Sequence, residues 1–310
     1  MEAGQASAST RWARLRSAIR KQTVAMSSTP STMSMFTFHE AETTALADAP
    51  SALADYEWIE AALPRAPHRL YLHQRKAACN VSIQELAIHA VDNTGNIRTW
   101  PCEDVLWHTL LHSPSILSNS APPMRLLEIG AGMCGVAGLA LAAQLRTLSH
   151  VVLTDGNAAC VENLRMTVDV NVARGVVPPA LVNVQLLQWS RDLPPRHDDD
   201  KFDIVLGSDC LFFESFHVDL VHTLRQLVSA TGCVVLLQPS RGGSLERFVA
   251  LAKTQFDVRL DVDFDAAVSA KHRHFLDNDP TTYVPDIHRP ILVTMRPLAD
   301  VRLEETALAS

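Results

Sequence analysis

The strongest constraint on the fold is a regular alternation of strand-like and helix-like apolar segments that begins at residue 125. Strands that alternate with helices form parallel sheets with helices on both faces, because each parallel connection needs a crossover. The predicted strands are Arg125–Ile129, His150–Thr154, Leu181–Leu187, Phe202–Gly207, Cys233–Gln238, Val258–Val262 and Ile291–Met295. The predicted helices cover 134–146, 157–173, 214–229 and 243–254. We therefore predict an α/β fold with a doubly wound, seven-stranded, Rossmann-like sheet.

The turn after the first predicted strand has the sequence of a cofactor-binding loop. Gly130, Gly132 and Gly135 form G-x-G-x-x-G between a strand and a helix, and glycine there permits positive φ and close approach of a ligand. Asp155 ends the next predicted strand, 25 residues after Gly130. A carboxylate in that position accepts hydrogen bonds from ribose hydroxyls. The pattern predicts an adenosine-containing cofactor; the alternative is a packing turn with a helix-capping aspartate.

The residue that separates the cofactor classes is Glu128, two positions before Gly130. A carboxylate is unfavourable beside the pyrophosphate of a nicotinamide or flavin cofactor but favourable beside an ammonium group. S-adenosylmethionine (AdoMet) carries such a group. The sheet also ends within about 170 residues of the turn, without the second catalytic domain that a dehydrogenase usually adds. Both features favour AdoMet; an acid satisfied by backbone donors is the other interpretation of Glu128.

Charge and composition limit the kinds of binding partner and metal site that the chain is expected to have. The formal net charge of −7 disfavours general nucleic-acid binding, and no apolar run reaches the ~18 residues of a membrane span. None of the six cysteines forms a Cys-x-x-Cys pair, which indicates reduced thiols.

His217 and His222 lie five residues apart on one predicted helix, which is a weak signal for a metal site. We expect no metal, and a monomer of the cytoplasm with the nucleus as a second compartment.

Residues 1–95 are predicted to form a small α+β extension, followed by the cofactor domain at 96–298 and a tail at 299–310. The basic residues of 11–21 fit an amphipathic helix or a mitochondrial transit peptide. Residues 40–63 carry six acids and no base, and we interpret them as a solvated helix or a linker. The segments RLYLH and LAIHAVD are predicted strands, with a turn at 93–96.

Segments spread through most of the chain resemble the calmodulin-lysine N-methyltransferase family. They are RWARLRSAIRKQ (11–22), VDNTGNIRTWPCEDVL (91–106), LEIGAGMCGVAGL (127–139), LTDGN (153–157), FDIVLGSDCLFF (202–213), RGGSLERFVALA (241–252) and YVPDIHRPILV (283–293). The first favours the helix over the transit peptide. The resemblance implies the class I methyltransferase fold, AdoMet as methyl donor, and calmodulin as substrate, with one lysine carried to the trimethyl state. Segments 40–67 and 190–200 lie outside it.

The resemblance also implies roles for single residues. Glu128, Gly130 and Gly132 are expected to contact the methionine part of AdoMet, and Asp155 its ribose. Trp100 is expected to line the pocket, and Trp189 to contact the adenine. For the two tryptophans, packing in the core or in a loop is the alternative.

The fourth predicted strand leads into Asp209-Cys-Leu-Phe212, where nucleic-acid amino-methyltransferases often carry Asn/Asp-Pro-Pro-Tyr/Phe. The prolines are absent, and Asp-x-x-Tyr/Phe resembles the protein-lysine methyltransferases. Phe212, with Phe213, is expected to line an apolar channel for the lysine, although Phe212 lacks the hydroxyl of tyrosine. Asp209 is expected to orient the lysine ammonium or to help bind the cofactor amine. The alternatives are another protein substrate, a non-catalytic AdoMet-binding scaffold and, more distantly, a nicotinamide oxidoreductase.

Overall fold

The computed structural model describes residues 36–39, 41–46, 55–64, 68–76, 101–117, 122–212 and 214–299. Its strands are β1 (Ala41–Thr44), β2 (Tyr56–Ala62), β3 (Arg69–Arg75), β4 (Met124–Ile129), β5 (Leu148–Asp155), β6 (Val182–Leu186), β7 (Phe202–Ser208), β8 (Val228–Gln238), β9 (Phe256–Asp261) and β10 (Ile291–Pro297). Its α-helices are α1 (Pro101–His112), α2 (Val136–Gln144), α3 (Ala158–Ala173), α4 (His217–Leu227), α5 (Ser244–Ala252), α6 (Ala266–Asn278) and α7 (Pro285–His288). The predicted strands and helices from residue 125 onward are present, with ends shifted by at most five residues.

The larger sheet has seven strands in the order β6-β5-β4-β7-β8-β10-β9. The strands from β6 to β8 are parallel, whereas β10 is inserted antiparallel between β8 and β9. The chain moves outward from β4 to β6, crosses back, and moves outward again from β7. The prediction of a doubly wound seven-stranded sheet is confirmed. Its strand order reverses between β4 and β7, and the crevice at such a switch point is where open α/β sheets bind ligands.

The strands of this sheet are apolar on both faces because helices cover both sides. In β8, Val235 and Leu237 join a core with α1, α2 and α3, whereas Val234 and Leu236 join a second core with α4 and α5. All four side chains are fully buried. This arrangement explains why the strands read as continuous apolar runs in the sequence.

A glycine allows helix α2 to lie directly on β4 and β5. A Cβ added at Gly138 would lie 2.4 Å from Cδ2 of Leu153 and 2.6 Å from Oε2 of Glu128. Both distances are too short for any side chain. The backbone N–H of Gly138 instead donates a hydrogen bond of 2.7 Å to Oε2 of Glu128, which fixes the helix to the central strand.

The described residues before position 101 include a second, antiparallel sheet in the order β1-β2-β3. The interpretation of 40–63 as a solvated helix or linker is therefore wrong, because the described part of this segment contains β1 and β2, and Trp58 and Ile59 are buried in β2. RLYLH is confirmed as part of β3. The basic helix at 11–22, the strand LAIHAVD and the turn at 93–96 lie outside the described residues. The domain boundaries stay predictions.

Two asparagines of α3 attach the small sheet to the large one. Asn171 accepts from the N–H of Tyr71 at 3.0 Å and donates to its carbonyl at 2.6 Å. Nδ2 of Asn163 donates at 2.8 Å to the carbonyl of His73 and, also at 2.8 Å, to that of Met133. Met133 belongs to the glycine turn, so Asn163 links the small sheet to the turn.

The sequence did not reveal α6, which follows β9. Asp265 caps this helix by accepting from the N–H groups of Ala267 at 2.8 Å and Val268 at 3.0 Å. Only Val268 and Ser269 are buried on it, so the apolar periodicity that announces a helix is missing. Among the described residues, no helix is long and apolar enough to cross a membrane.

The contact at Gly138 predicts that Gly138→Ala destabilises the fold. Alanine favours an exposed helix over glycine by about 1 kcal/mol, but the two short contacts should reverse the sign and give a net loss of about 1–3 kcal/mol. Urea unfolding measures the difference.

Gly175→Ala is the matched control, because it has a φ of +68° and no atom within 4 Å of an added Cβ. It should lose about 1 kcal/mol from backbone strain alone. If Gly138→Ala were as stable as the natural chain, the close seating of α2 would be refuted.

Candidate functional site

The glycine turn after β4 has the backbone that its sequence predicts. Gly130, Gly132 and Gly135 have φ of +57°, +59° and +55°, a left-handed conformation that side chains disfavour. A Cβ at Gly135 would also lie 2.9 Å from Cδ2 of Leu164. The turn therefore needs glycine for conformation at all three positions and for space at the third.

Two buried carboxylates hold the N-terminus of α2, immediately after this turn. Glu128 accepts from Gly138 as described above, and Oε1 of Glu103 accepts from the N–H of Val136 at 2.6 Å. Their exposed fractions are 1% and 5%. Burial raises the pKa of Glu128 to about 7, and the hydrogen bond from Gly138 opposes this rise. Glu128 thus has a structural contact; its predicted role towards the cofactor amine stays a prediction.

Asp155, the last residue of β5, faces the turn. Its Oδ2 accepts from the N–H of Gly132 at 3.0 Å, and its Oδ1 accepts from that of Asn157 at 2.8 Å. Burial raises its pKa to about 6, against three backbone hydrogen bonds that favour the ionised form. A carboxylate offers about four acceptor positions, so a ribose hydroxyl can be added to these donors.

Trp189 and Cys210 lie beside Gly130. A Cβ on Gly130 would be 3.4 Å from Cζ2 of Trp189 and 3.3 Å from Sγ of Cys210. The indole also meets the ring of Phe216 edge-on, with 6.4 Å between centroids. An aromatic face therefore borders the turn at the end of β6, where the sequence predicts an adenine contact.

Asp209 follows β7 and forms an ion pair with Arg241, which follows β8. Nε of Arg241 donates to Oδ1 of Asp209 at 2.9 Å, and Nη2 donates to Oδ2. The guanidinium carbon also lies 5.4 Å from the centre of the Phe212 ring. Asp209 and Arg241 both have φ of +51°, a conformation that non-glycine residues adopt at a cost. The sequence did not reveal this pairing.

The backbone between Asp209 and Phe212 is held from the helix side. The carbonyl of Leu211 accepts from Nε2 of His217 at 3.1 Å and from the hydroxyl of Ser244. Burial lowers the pKa of His217. His222 contacts a different carbonyl, that of Leu193, at 3.1 Å. Among the described side chains, no group of three or more His, Cys, Asp and Glu is arranged to hold a metal ion.

Two predicted site residues, Trp100 and Phe213, lie outside the described residues. The start of α1 is nevertheless close to the site, because Glu103 in its first turn accepts from the N–H of Val136, directly after the glycine turn. The sequence did not identify Glu103 as a site residue, because an acid in the first turn of a predicted helix gives no sign of a long-range contact.

The arrangement fits AdoMet on three counts. Gly130 leaves its backbone uncovered beside the Trp189 indole. Asp155 offers a buried hydrogen-bond acceptor at the glycine turn. Glu128 places a carboxylate between β4 and helix α2, close to the same turn. A nucleoside needs an apolar face and a hydroxyl acceptor, and an amino acid needs polar backbone. The contacts of the individual residues with the cofactor remain predictions.

Comparisons with known proteins agree with this geometry. Residues 84–255 match the family described as lysine methyltransferase. The calmodulin-lysine N-methyltransferase of Arabidopsis thaliana is 32% identical over 218 residues, 68% of each chain. A protein N-lysine methyltransferase of Mus musculus is 28% identical over 56% of this chain and 80% of its own.

Among solved structures, a TehB-like AdoMet-dependent methyltransferase of Corynebacterium glutamicum is 12% identical, with a TM-score of 0.40 over 69% of this chain and 94% of its own. The family match spans more than half of the chain and includes the glycine turn, Asp155 and the segment from Asp209 to Phe212. The resemblance found in the sequence is thereby confirmed. The chain belongs to the lysine methyltransferase family and uses AdoMet as its cofactor.

Proposed function

We propose that this chain carries a lysine of calmodulin to the trimethyl state, acting as a monomer of the cytoplasm and nucleus. The observation that carries methyl transfer is the contact between the segment from Asp209 to Phe212 and the glycine turn, where Cys210 reaches Gly130. Donor and acceptor sites are then neighbours at one sheet edge. Support for calmodulin is the 32% identity with the Arabidopsis enzyme together with the family resemblance of the segments at 91–106 and 202–213.

Bound AdoMet supplies a methyl group that its sulfonium already activates, so the protein's main task is alignment. In this proposal Asp155 accepts from the ribose, and Trp189 lies on the adenine. The methionine part lies along Gly130 and Gly132, with Glu128 towards its amino group. Trp100 completes the pocket wall, as the resemblance implies.

The lysine must lose a proton before it attacks. Starting from a pKa near 10.4, deprotonation at pH 7 costs about 4–5 kcal/mol. An apolar channel lowers this cost by disfavouring the ammonium form. Phe212 is 37% exposed, and in this proposal its ring offers a face to the lysine stem and to the methylated product. In this proposal Asp209 orients the ammonium, and a water molecule accepts the proton.

An acidic substrate meets a chain of net charge −7, so recognition has to use local basic groups. Arg273 and His274 are exposed on α6. Lys271 already has an aromatic contact within this chain, because its ammonium lies 5.0 Å from the centre of the Phe38 ring. The proposal therefore places the outer calmodulin contacts on α6 and on the basic residues of 11–21.

Asp155→Asn should weaken AdoMet binding by about 10- to 100-fold at neutral pH, because it removes a charged hydrogen-bond acceptor. Calorimetric titration with AdoMet measures the change. Glu162→Gln, on the exposed side of the neighbouring helix α3, is the control and should bind as the natural chain does. Equal affinities for both variants would refute the ribose role of Asp155.

AdoMet affinity should also depend on pH. Because burial raises the pKa of Asp155 to about 6, its carboxylate becomes charged only as the pH rises through that value. Affinity should therefore increase from pH ~5 to ~7, and Asp155→Asn should lose the part of the increase centred near pH 6. A response that is unchanged in the variant would assign the titration to another group.

Purified protein incubated with AdoMet and unmodified calmodulin should add the mass of three methylene units to one lysine, as read by mass spectrometry. Phe212→Ala should lower kcat about 10-fold or more through loss of alignment, with AdoMet affinity unchanged. Transfer to another protein but not to calmodulin would overturn the substrate; AdoMet binding without any transfer would favour a non-catalytic scaffold.

A further inference from the structure

Arg241 contacts both side chains that the proposed reaction offers to a substrate lysine. Its guanidinium forms two hydrogen bonds with the carboxylate of Asp209. The same group lies 5.4 Å from the centre of the Phe212 ring, within the range of a cation–π contact. A cation of the protein thus occupies a subsite made of one carboxylate and one aromatic face.

A lysine ammonium needs the same two neighbours. It is a compact cation with three donors, which a carboxylate accepts and an aromatic face attracts. Asp209 has a side chain only 10% exposed, so two full cations cannot share its oxygens without strong mutual repulsion. The ammonium and the guanidinium therefore compete for Asp209.

The backbone at Arg241 is held separately from its ion pair. The Arg241 side chain is 19% exposed, more than that of Asp209. The backbone position of Arg241 does not depend on the ion pair, because its N–H donates to the carbonyl of Asp286 at 2.7 Å. The next N–H, that of Gly242, donates to Oδ2 of Asp286 at 2.8 Å. These two bonds hold the turn after β8 without using the guanidinium.

We propose that Arg241 occupies the substrate-ammonium subsite of the free enzyme and is displaced by the incoming lysine. Arg241 is then an internal competitor that keeps Asp209 paired and lies beside the Phe212 ring until a substrate arrives. The inference rests on the proposed transfer of methyl groups to a protein lysine, although not on calmodulin being the protein. It gives Arg241 a role in substrate selection that is separate from fold stability.

The first test compares steady-state methylation by Arg241→Gln with that by the natural chain. Removal of the competitor should lower KM for the protein substrate about 3- to 10-fold, with AdoMet affinity unchanged. Arg247→Gln is the matched control, because Arg247 pairs with Glu214 through the same two-point geometry at 2.9 and 2.6 Å but is 51% exposed. It should keep the natural KM. A raised or unchanged KM in Arg241→Gln would overturn the proposal and make Arg241 a structural clamp.

The second test does not need calmodulin. Butylammonium, which copies the lysine side chain, should give a saturation-transfer NMR signal with Arg241→Gln and a much weaker one with the natural chain. Equal signals from both proteins would overturn the proposal even if calmodulin is methylated. A signal confined to Arg241→Gln, in a chain that does not methylate calmodulin, would support the subsite and reject only the proposed substrate.

If Arg241→Gln fails to fold, Arg241→Lys replaces it in both tests. A lysine at this position offers a single ammonium in place of the two-point fork, so it should compete less well. The KM of Arg241→Lys should then fall by less than that of Arg241→Gln. Its butylammonium signal should lie between those of Arg241→Gln and the natural chain. Values equal to those of the natural chain would overturn the proposal.

Discussion

The seating of α2 on β4 is the contact on which the rest of the site depends. The first turn of a helix presents unpaired N–H groups, and here two of them are bound by buried carboxylates, Glu103 from α1 and Glu128 from β4. Gly138 permits the close approach. These contacts hold the helix on the strand and so help to fix the conformation of the glycine turn that joins them. That conformation sets where Gly132 meets Asp155.

The parallel register then gathers the remaining groups. Parallel strands end at the same edge of a sheet, so residues after β4, β5, β6 and β7 meet although they are distant in sequence. Three of the described carboxylates lie at this edge: Glu128 and Asp155 accept from backbone N–H groups, and Asp209 accepts from a guanidinium. The first two are suited to a neutral or cationic ligand part, whereas the third is already compensated by a charge of the protein itself.

Much of this was predictable because the signals were local. The apolar strand runs, the glycine spacing and the position of Asp155 each depend on a few adjacent residues, and they located the large sheet and its ligand edge. The small sheet was not predicted, because the six acids of residues 40–63 suggested a solvated segment and hid the short buried stretch around Trp58. Helix α6 was missed, because its buried surface is too small to create a periodic pattern.

Long-range polar pairs were beyond the sequence for a different reason. The contacts from Asn163 to Met133, from Glu103 to Val136 and from Arg241 to Asp209 join residues 30 to 33 positions apart. Nothing local to an asparagine, a glutamate or an arginine marks which distant group it will meet. Such pairs become visible only when the strand order is known, and here they position the parts of the site that the motifs identified.

The most direct test of this account is a crystal structure of the protein with S-adenosylhomocysteine, the demethylated product. The account predicts ribose hydroxyls within hydrogen-bond distance, about 2.5–3.0 Å, of the Asp155 carboxylate. It also predicts adenine on the Trp189 indole and the sulfur directed towards Phe212. A nucleoside bound away from Asp155, or a sulfur that faces away from the segment between Asp209 and Phe212, would contradict it.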